Sequence, residues 1–305
     1  MSSILFPRYS IQHPIRGRGG TNRPRIEKLH FNIVDDLGPQ YIESRTMSQV
    51  IVDKFIHITE YIFMFFALIY NCCQQTIRIP INGISNNCLY IFIPGLHATS
   101  LMWVAFRKQI IKLHSTGGQD IPNVQLVQNK KNGNQSVMAT MVPIFNCIHA
   151  HCLSGANKSV CIVGSSLGAL IALMIEYKLR KCNILNPLAI VSVSGAFGSK
   201  VINTFRSIPV VRALIHENVA YNISDNNRSI LWVIRHLRTM EHTNTQRIFY
   251  SGMNDTIVYP PSLCHPLISQ NDMHFRVHAA GHTTVAPVIV NHLCQQLYNF
   301  SCNQS

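Results

Sequence analysis

Acidic residues are scarce in this chain: 13 Asp and Glu stand against 26 Lys and Arg in 305 residues, and charged residues of both signs make up only 13%. The resulting formal charge of +13 attracts nucleic acid, anionic lipid or an acidic partner, and by itself chooses among none of them. Long apolar runs are also missing. The most hydrophobic window, Phe55 to Cys73, is cut by His57 and Glu60 to about the length of a buried helix, too short to cross a bilayer comfortably. There is no C-x-x-C pair. Apart from the neighbours Cys72 and Cys73, the cysteines sit singly in apolar runs, as at Cys147, Cys161, Cys182 and Cys294. That spacing argues against a thioredoxin-like motif, a zinc site and a disulfide framework, and for reduced core thiols. Neither a metal nor a cofactor is expected. No internal repeat is present, and more than fifty residues precede the apolar window with no small-residue cleavage site closing it, so no cleavable signal peptide is expected. The corresponding location is cytoplasmic or membrane-associated.

What is abundant is apolar residue, at 47%, which excludes disorder for most of the chain and suits one large core. Residues 1–54 differ: Arg8, Arg16, Arg18, Arg23 and Arg25 precede the first acid, Glu27, around the stretch R-G-R-G-G-T-N-R-P-R. This basic extension cannot bury a core, and is either a solvated linker or an anion-binding arm. Residues 55–75 read as an apolar helix, packed on the core or lying peripherally on a membrane. From Thr76 to the end, short β-branched runs alternate with helical ones, the order of a mostly parallel sheet flanked by helices. Strands are expected at 76–83, 89–95, 124–128, 159–163, 246–252 and 273–280. Helices are expected after Thr99 or Ser100, with Met102, Trp103, Phe106, Ile110 and Leu113 on one face, from about Gln135 to Cys152, and from Val285 to Phe300. Apolar residues at helical spacing between 199 and 243 predict a helical cap insertion, whose apolar face covers an acyl pocket or simply packs on the sheet.

Chemistry enters at Gly164-Ser-Ser-Leu-Gly168, a G-x-S-x-G pentapeptide between an apolar strand and an Ala/Leu-rich helix. In that setting a sharp turn exposes the hydroxyl of Ser166, and Gly164 and Gly168 let neighbouring backbones approach without a Cβ clash. A serine hydroxyl needs a histidine to take its proton and an acid to orient that histidine, and this motif goes with the chain order Ser, acid, His. Six carboxylates follow Ser166. Glu176 falls in the adjoining helix, and Glu217, Asp225 and Glu241 in the insertion. Asp255 follows the strand-like Q-R-I-F-Y-S-G on a loop, and is the expected acid; Asp272, which precedes the last strand, is the alternative. His282, in A-G-H-T between the last strand and the closing helix, is the expected base, because His274 and His278 alternate within the strand and His292 lies in the helix. An oxyanion hole would use the backbone N–H groups of Leu167 and, after the strand ending P-G-L-H, Leu96, with His97 nearby.

The four segments I-F-I-P-G-L-H, V-G-S-S-L-G, S-G-M-N-D-T-I-V and A-A-G-H-T-T, in this order between about Thr76 and Phe300, resemble the α/β-hydrolase superfamily, and the apolar flavour is similar to its lipase and esterase branches. Pro94 departs from the histidine that relatives commonly carry before the glycine. The resemblance implies a serine hydrolase acting on carboxylic esters, with lipid or acyl esters as substrates, through an acyl-enzyme. A thioesterase, amidase or acyltransferase would use the same triad. From another class, an idle hydrolase fold that binds membrane or nucleic acid would account for the charge; nucleic acid is the less expected of those partners.

Overall fold

In a computed structural model of the chain, the run C-L-Y-I-F-I forms strand β1 (Cys88–Ile93), every residue of which is buried. Leu89, Ile91 and Ile93 pack into one apolar cluster and Cys88, Tyr90 and Phe92 into another on the opposite face. An apolar run without polar alternation is what a strand covered on both sides requires. The structure describes residues 55, 58, 87–96, 98–128, 135–155, 158–198, 219, 228–240, 244–255, 257–258, 264–266, 268–277 and 280–303. The extension 1–54, the expected strand 76–83, His97, His278, the apolar segment 55–75 apart from Phe55 and Ile58, and most of the insertion 199–243 lie outside these described residues.

The further elements are α1 (Val104–Thr116), β2 (Asn123–Leu126), α2 (Val137–Leu153), β3 (Ser159–Ser165), α3 (Leu167–Lys181), β4 (Leu188–Val193), α4 (Arg228–Thr239), β5 (Thr245–Gly252), β6 (Met273–Val277) and α5 (Val285–Cys302). The strands form one sheet of order β2-β1-β3-β4-β5-β6, and each of the five pairings is parallel. Helices α2, α3 and α4 cover one face, and α1 and α5 the other. A 3-10 turn, Ser100–Trp103, precedes α1, and Trp103, Phe106 and Ile110 are buried as the spacing predicts, with Met102 and Leu113 partly so. No side chain caps this turn at Thr99. β4 was not among the expected strands, although L-A-I-V-S-V is fully buried between β3 and β5. Of the insertion, α4 lies against α3 and buries Ile230, Val233, Ile234 and Leu237. Among the described residues no helix is long and apolar enough to cross a membrane.

The topology places the carboxyl ends of β1, β3, β4, β5 and β6 along a single edge of the sheet. Loops there receive whatever side chains follow each strand, which is where an open parallel sheet builds its sites.

Candidate active site

The elbow is set by β3 running directly into α3. Ser166 holds φ 51° and ψ −115°, a left-handed conformation that a non-glycine residue adopts only under surrounding constraint. Two hydrogen bonds impose it: the Ser166 N–H donates to Val193 O at 3.0 Å, and Ser166 O accepts from the Ala196 N–H at 3.2 Å. The flanking glycines are required by close approach. A Cβ on Gly164 would overlap the backbone of Gly168 and Ala169, and one on Gly168 would overlap Ile93 O and Pro94 O. The first turn of α3 therefore rests on β3 and on the end of β1. Gly95 closes the same corner, since a Cβ there would come 3.0 Å from Ser166 Cβ and 3.2 Å from Ser165 O. The P-G-L segment thus abuts the nucleophile turn, with Leu96 directly after it. Leu167 is the first residue of α3, so its N–H has no partner within the helix and lies at the positive end of the helix dipole.

Asp255 and His282 come from neighbouring strands. Met253 and Asn254 donate their N–H groups to Val277 O (3.0 Å) and Ala280 O (3.1 Å), which draws the loop after β5 onto the loop after β6. Across this junction the His282 Nδ1–H donates to Asp255 Oδ2 at 2.8 Å, with both side chains buried. Asp255 Oδ1 accepts from the Ile257 and Val258 N–H groups at 2.9 and 2.8 Å. The carboxylate is thus fixed from behind by backbone donors, and one oxygen is left to hold the imidazole tautomer whose Nε2 is unprotonated. A third backbone link, from the Ser194 N–H to Tyr250 O at 2.8 Å, ties the loop around Ser166 to the strand that carries Asp255. Ser166, Asp255 and His282 therefore stand at the carboxyl ends of β3, β5 and β6.

Asp272, the alternative acid, is engaged elsewhere. It lies at the amino end of β6, where Oδ2 accepts from the Ile268 and Ser269 N–H groups and Oδ1 from Arg247 Nη1 at 3.3 Å. Arg247 Nε also donates to both oxygens of Glu176 at 3.1 Å, making a buried ionic cluster between α3, β5 and β6. Burial pushes the Glu176 carboxyl above its ordinary range, against the pull of Arg247. For Arg247, burial works against the charge and the two carboxylates outweigh it, so the guanidinium stays protonated. Periodicity gave no sign of this cluster, because Arg247 occupies a strand position that reads as solvent-facing.

Two other polar features were not singled out by the sequence. The hydroxyls of Ser192, Ser194 and Ser251 are buried beside the elbow without a hydrogen-bond partner among the described residues, and Ser194 holds φ 48°. His265 and His274 stack at 5.1 Å with Nδ1 atoms 2.9 Å apart, and Phe249 stacks on His274 at 5.1 Å. One imidazole must donate and the other accept across this contact, which two protonated rings could not do. Burial, followed by His274 and Arg276, depresses His265 from 6.5 to about 3; burial also lowers His274, against Asp272. Between those two pH values the unfolded chain takes up a proton that the folded chain refuses, so stability is complete above pH 6.5 and declines as the pH falls towards 3. At pH 5 this one site should remove ~2 kcal/mol. Scanning calorimetry is expected to give a lower Tm at pH 5 than at pH 7, and His265→Phe a shallower dependence; an unchanged dependence removes His265 from the account.

A cleft of about 430 Å³ lies at the other end of the molecule, lined by Asn244, Thr245, Gln246, Gln296, Asn299, Phe300 and Asn303. None of these side chains titrates near neutral pH, and none lies near Ser166. No cluster of three or more potential metal ligands occurs among the described residues.

No protein-family model matches the chain, and no curated protein matches it. Solved structures do. Est1E from Butyrivibrio proteoclasticus, with ferulic acid bound, superposes with a TM-score of 0.50 at 12% identity, covering 74% of this chain and 93% of that one. The peroxisomal α/β-hydrolase Lpx1 from Saccharomyces cerevisiae gives 0.49 at 11% identity over 71% and 77% of the two chains. A lipase-esterase related protein from Clostridium acetobutylicum gives 0.47 at 12% identity over 72% and 96%. At such identities the similarity is one of fold: the sheet and its helices have the α/β-hydrolase arrangement.

Proposed function

From this fold and from the bonded pair at its strand ends, we propose that the chain is a serine hydrolase of carboxylic esters, with Ser166 as nucleophile, His282 as general base and Asp255 as the orienting acid. The observation that carries the reading is the Asp255–His282 hydrogen bond, made at the same sheet edge as a serine held at positive φ. Ser166 Oγ attacks the acyl carbon while His282 Nε2 takes its proton. The Leu96 and Leu167 N–H groups stabilise the oxyanion, and the tetrahedral intermediate collapses as His282 returns the proton to the departing alcohol. Water, deprotonated by the same imidazole, then cleaves the acyl-enzyme and restores Ser166. Apolar acyl esters are the favoured substrates, consistent with Val210, Val211, Leu214 and Ile215, which precede α4 in the sequence.

Reaction with a fluorophosphonate probe tests the assignment whatever ester the enzyme cleaves, because the probe reports an activated serine. The wild-type chain is expected to label and Ser166→Ala not to label. Labelling that survives this change moves the nucleophile elsewhere.

A further inference from the structure

The reaction leaves the formal charge of +13 unexplained. Four acids belong to the described residues: Asp120, Glu176, Asp255 and Asp272. The last three are buried, bound to Arg247, to His282 and to backbone N–H groups. Asp120 is the one exposed acid among the described residues, whereas Arg107, Lys108, Lys112, Lys181, Arg235, Arg238 and Arg276 are exposed. Among the described residues, three of the four carboxylates thus point inward while these cations face outward.

On the face covered by α2, α3 and α4, three of these cations, Lys181, Arg235 and Arg238, share their helices with aromatic side chains. Trp232 on α4 is 43% exposed, with its ring 5.0 Å from that of Tyr177 near the end of α3. Lys181 Nζ lies 5.9 Å from the same tyrosine ring, and Arg235 and Arg238 follow Trp232 on α4. Leu153, which ends α2, and Leu185, just after α3, are 66% and 70% exposed. One loop gathers these elements: Asn186 Nδ2 donates to Gly155 O and Lys158 O at 3.0 and 2.9 Å, and Asn244 Nδ2 donates to Leu185 O at 3.4 Å. Leu153 and Leu185 therefore lie at the carboxyl ends of α2 and α3, and Trp232 packs on Tyr177 near the second of these, with Lys158, Lys181 and Arg235 on the same segments.

We infer that this face docks on an anionic lipid bilayer, with Trp232 entering the interface and Lys181, Arg235 and Arg238 meeting the headgroups. Charge complementarity selects an anionic partner. The exposed tryptophan and leucines favour a bilayer over nucleic acid, because phosphate backbones satisfy cations but give leucine nothing to bury against, whereas a bilayer takes up both. The inference concerns attachment and is independent of the ester chemistry, so vesicle binding and fluorophosphonate labelling can fail separately. It also differs from attachment through residues 1–75, since it places the contact within the folded domain.

The two tryptophans make the test specific: Trp103 is fully buried, so a change in emission on binding reports Trp232. The full chain is mixed at low salt with vesicles of phosphatidylcholine alone, of phosphatidylcholine with phosphatidylserine, and of the same anionic mixture carrying brominated acyl chains. The expected result is a blue shift and bromine quenching with anionic vesicles, neither with neutral ones, and loss of binding as salt is raised. The exposed double change Lys181→Glu and Arg235→Glu should weaken partitioning at least tenfold with an unaltered melting temperature. Binding without quenching of Trp232, binding undiminished by the charge reversals, or tight salt-sensitive binding of duplex RNA by a chain that ignores anionic vesicles would each overturn it. The quenching measurement uses the wild-type chain and stands even if the double variant folds poorly.

Discussion

Asp255→Asn is expected to lower kcat for ester hydrolysis by about 10⁴-fold while leaving the fold intact, and His282→Ala by a comparable factor. The asparagine fits the same space and can keep Oδ1 as the acceptor for the Ile257 and Val258 N–H groups, so the loop has little reason to move. Its amide nitrogen, however, then faces His282 Nδ1 across the 2.8 Å gap. That donor stabilises the tautomer with its proton on Nε2, the reverse of what a general base needs. The two changes should not add when combined, because the groups act as one proton-transfer unit. Steady-state turnover of a p-nitrophenyl ester, with melting temperatures measured alongside, checks this. Asp272→Asn provides the contrast: it can cost stability, but turnover per folded molecule should stay within a few fold of wild type. The reverse ranking of the two aspartates would transfer the acid's role to Asp272.

The largest effect on stability is expected from Arg247→Met. This change leaves Glu176 and Asp272 buried without their shared cation, and removing one partner from a buried ionic cluster costs about 3–5 kcal/mol. In a domain of this size that corresponds to a melting temperature lower by on the order of 10 °C. Part of the loss should be relieved at mildly acid pH: with the guanidinium gone, burial favours protonated Glu176 even more strongly, and a neutral carboxyl is cheaper to bury than a charged one. Pairing Arg247→Met with Glu176→Leu should recover stability, since apolar groups of similar volume replace a buried ion pair at little net cost. Thermal denaturation of the single and double variants decides the matter. A single variant that melts within about 2 °C of wild type would show that the cluster contributes little.

Local pattern alone made some features legible. The strand–turn–helix setting of Gly164 to Gly168 named Ser166, because few short sequences put glycines where two backbones must meet, and the structure places Ile93 and Gly168 where those Cβ atoms would collide. Strands β1, β3 and β5, and helices α1, α2 and α5, were visible because each is long and periodic enough to expose its pattern. β4 escaped because L-A-I-V-S-V is a short apolar run, and such a run has no period that separates a buried strand from a buried helix. Asp255 is favoured over Asp272 in the sequence because it follows a strand while Asp272 precedes one; the sheet order, which sets the loop after β5 against the loop after β6, makes Asp255 the partner of His282 and leaves Asp272 to Arg247.

The sequence by itself determined the composition of the surface and the core, the alternation of strands and helices, and the residue at the elbow. These depend on residue type and on spacings of a few positions, which the chain carries locally. The tertiary structure settled that Asp255, expected from sequence over Asp272, meets the imidazole, and it alone brought Glu176, Arg247 and Asp272 together inside. Those are pairings across 27, 71 and 25 residues of chain, for Asp255 with His282, Glu176 with Arg247, and Arg247 with Asp272. No local rule reaches so far, because the partner of a buried charge is set by which elements pack side by side.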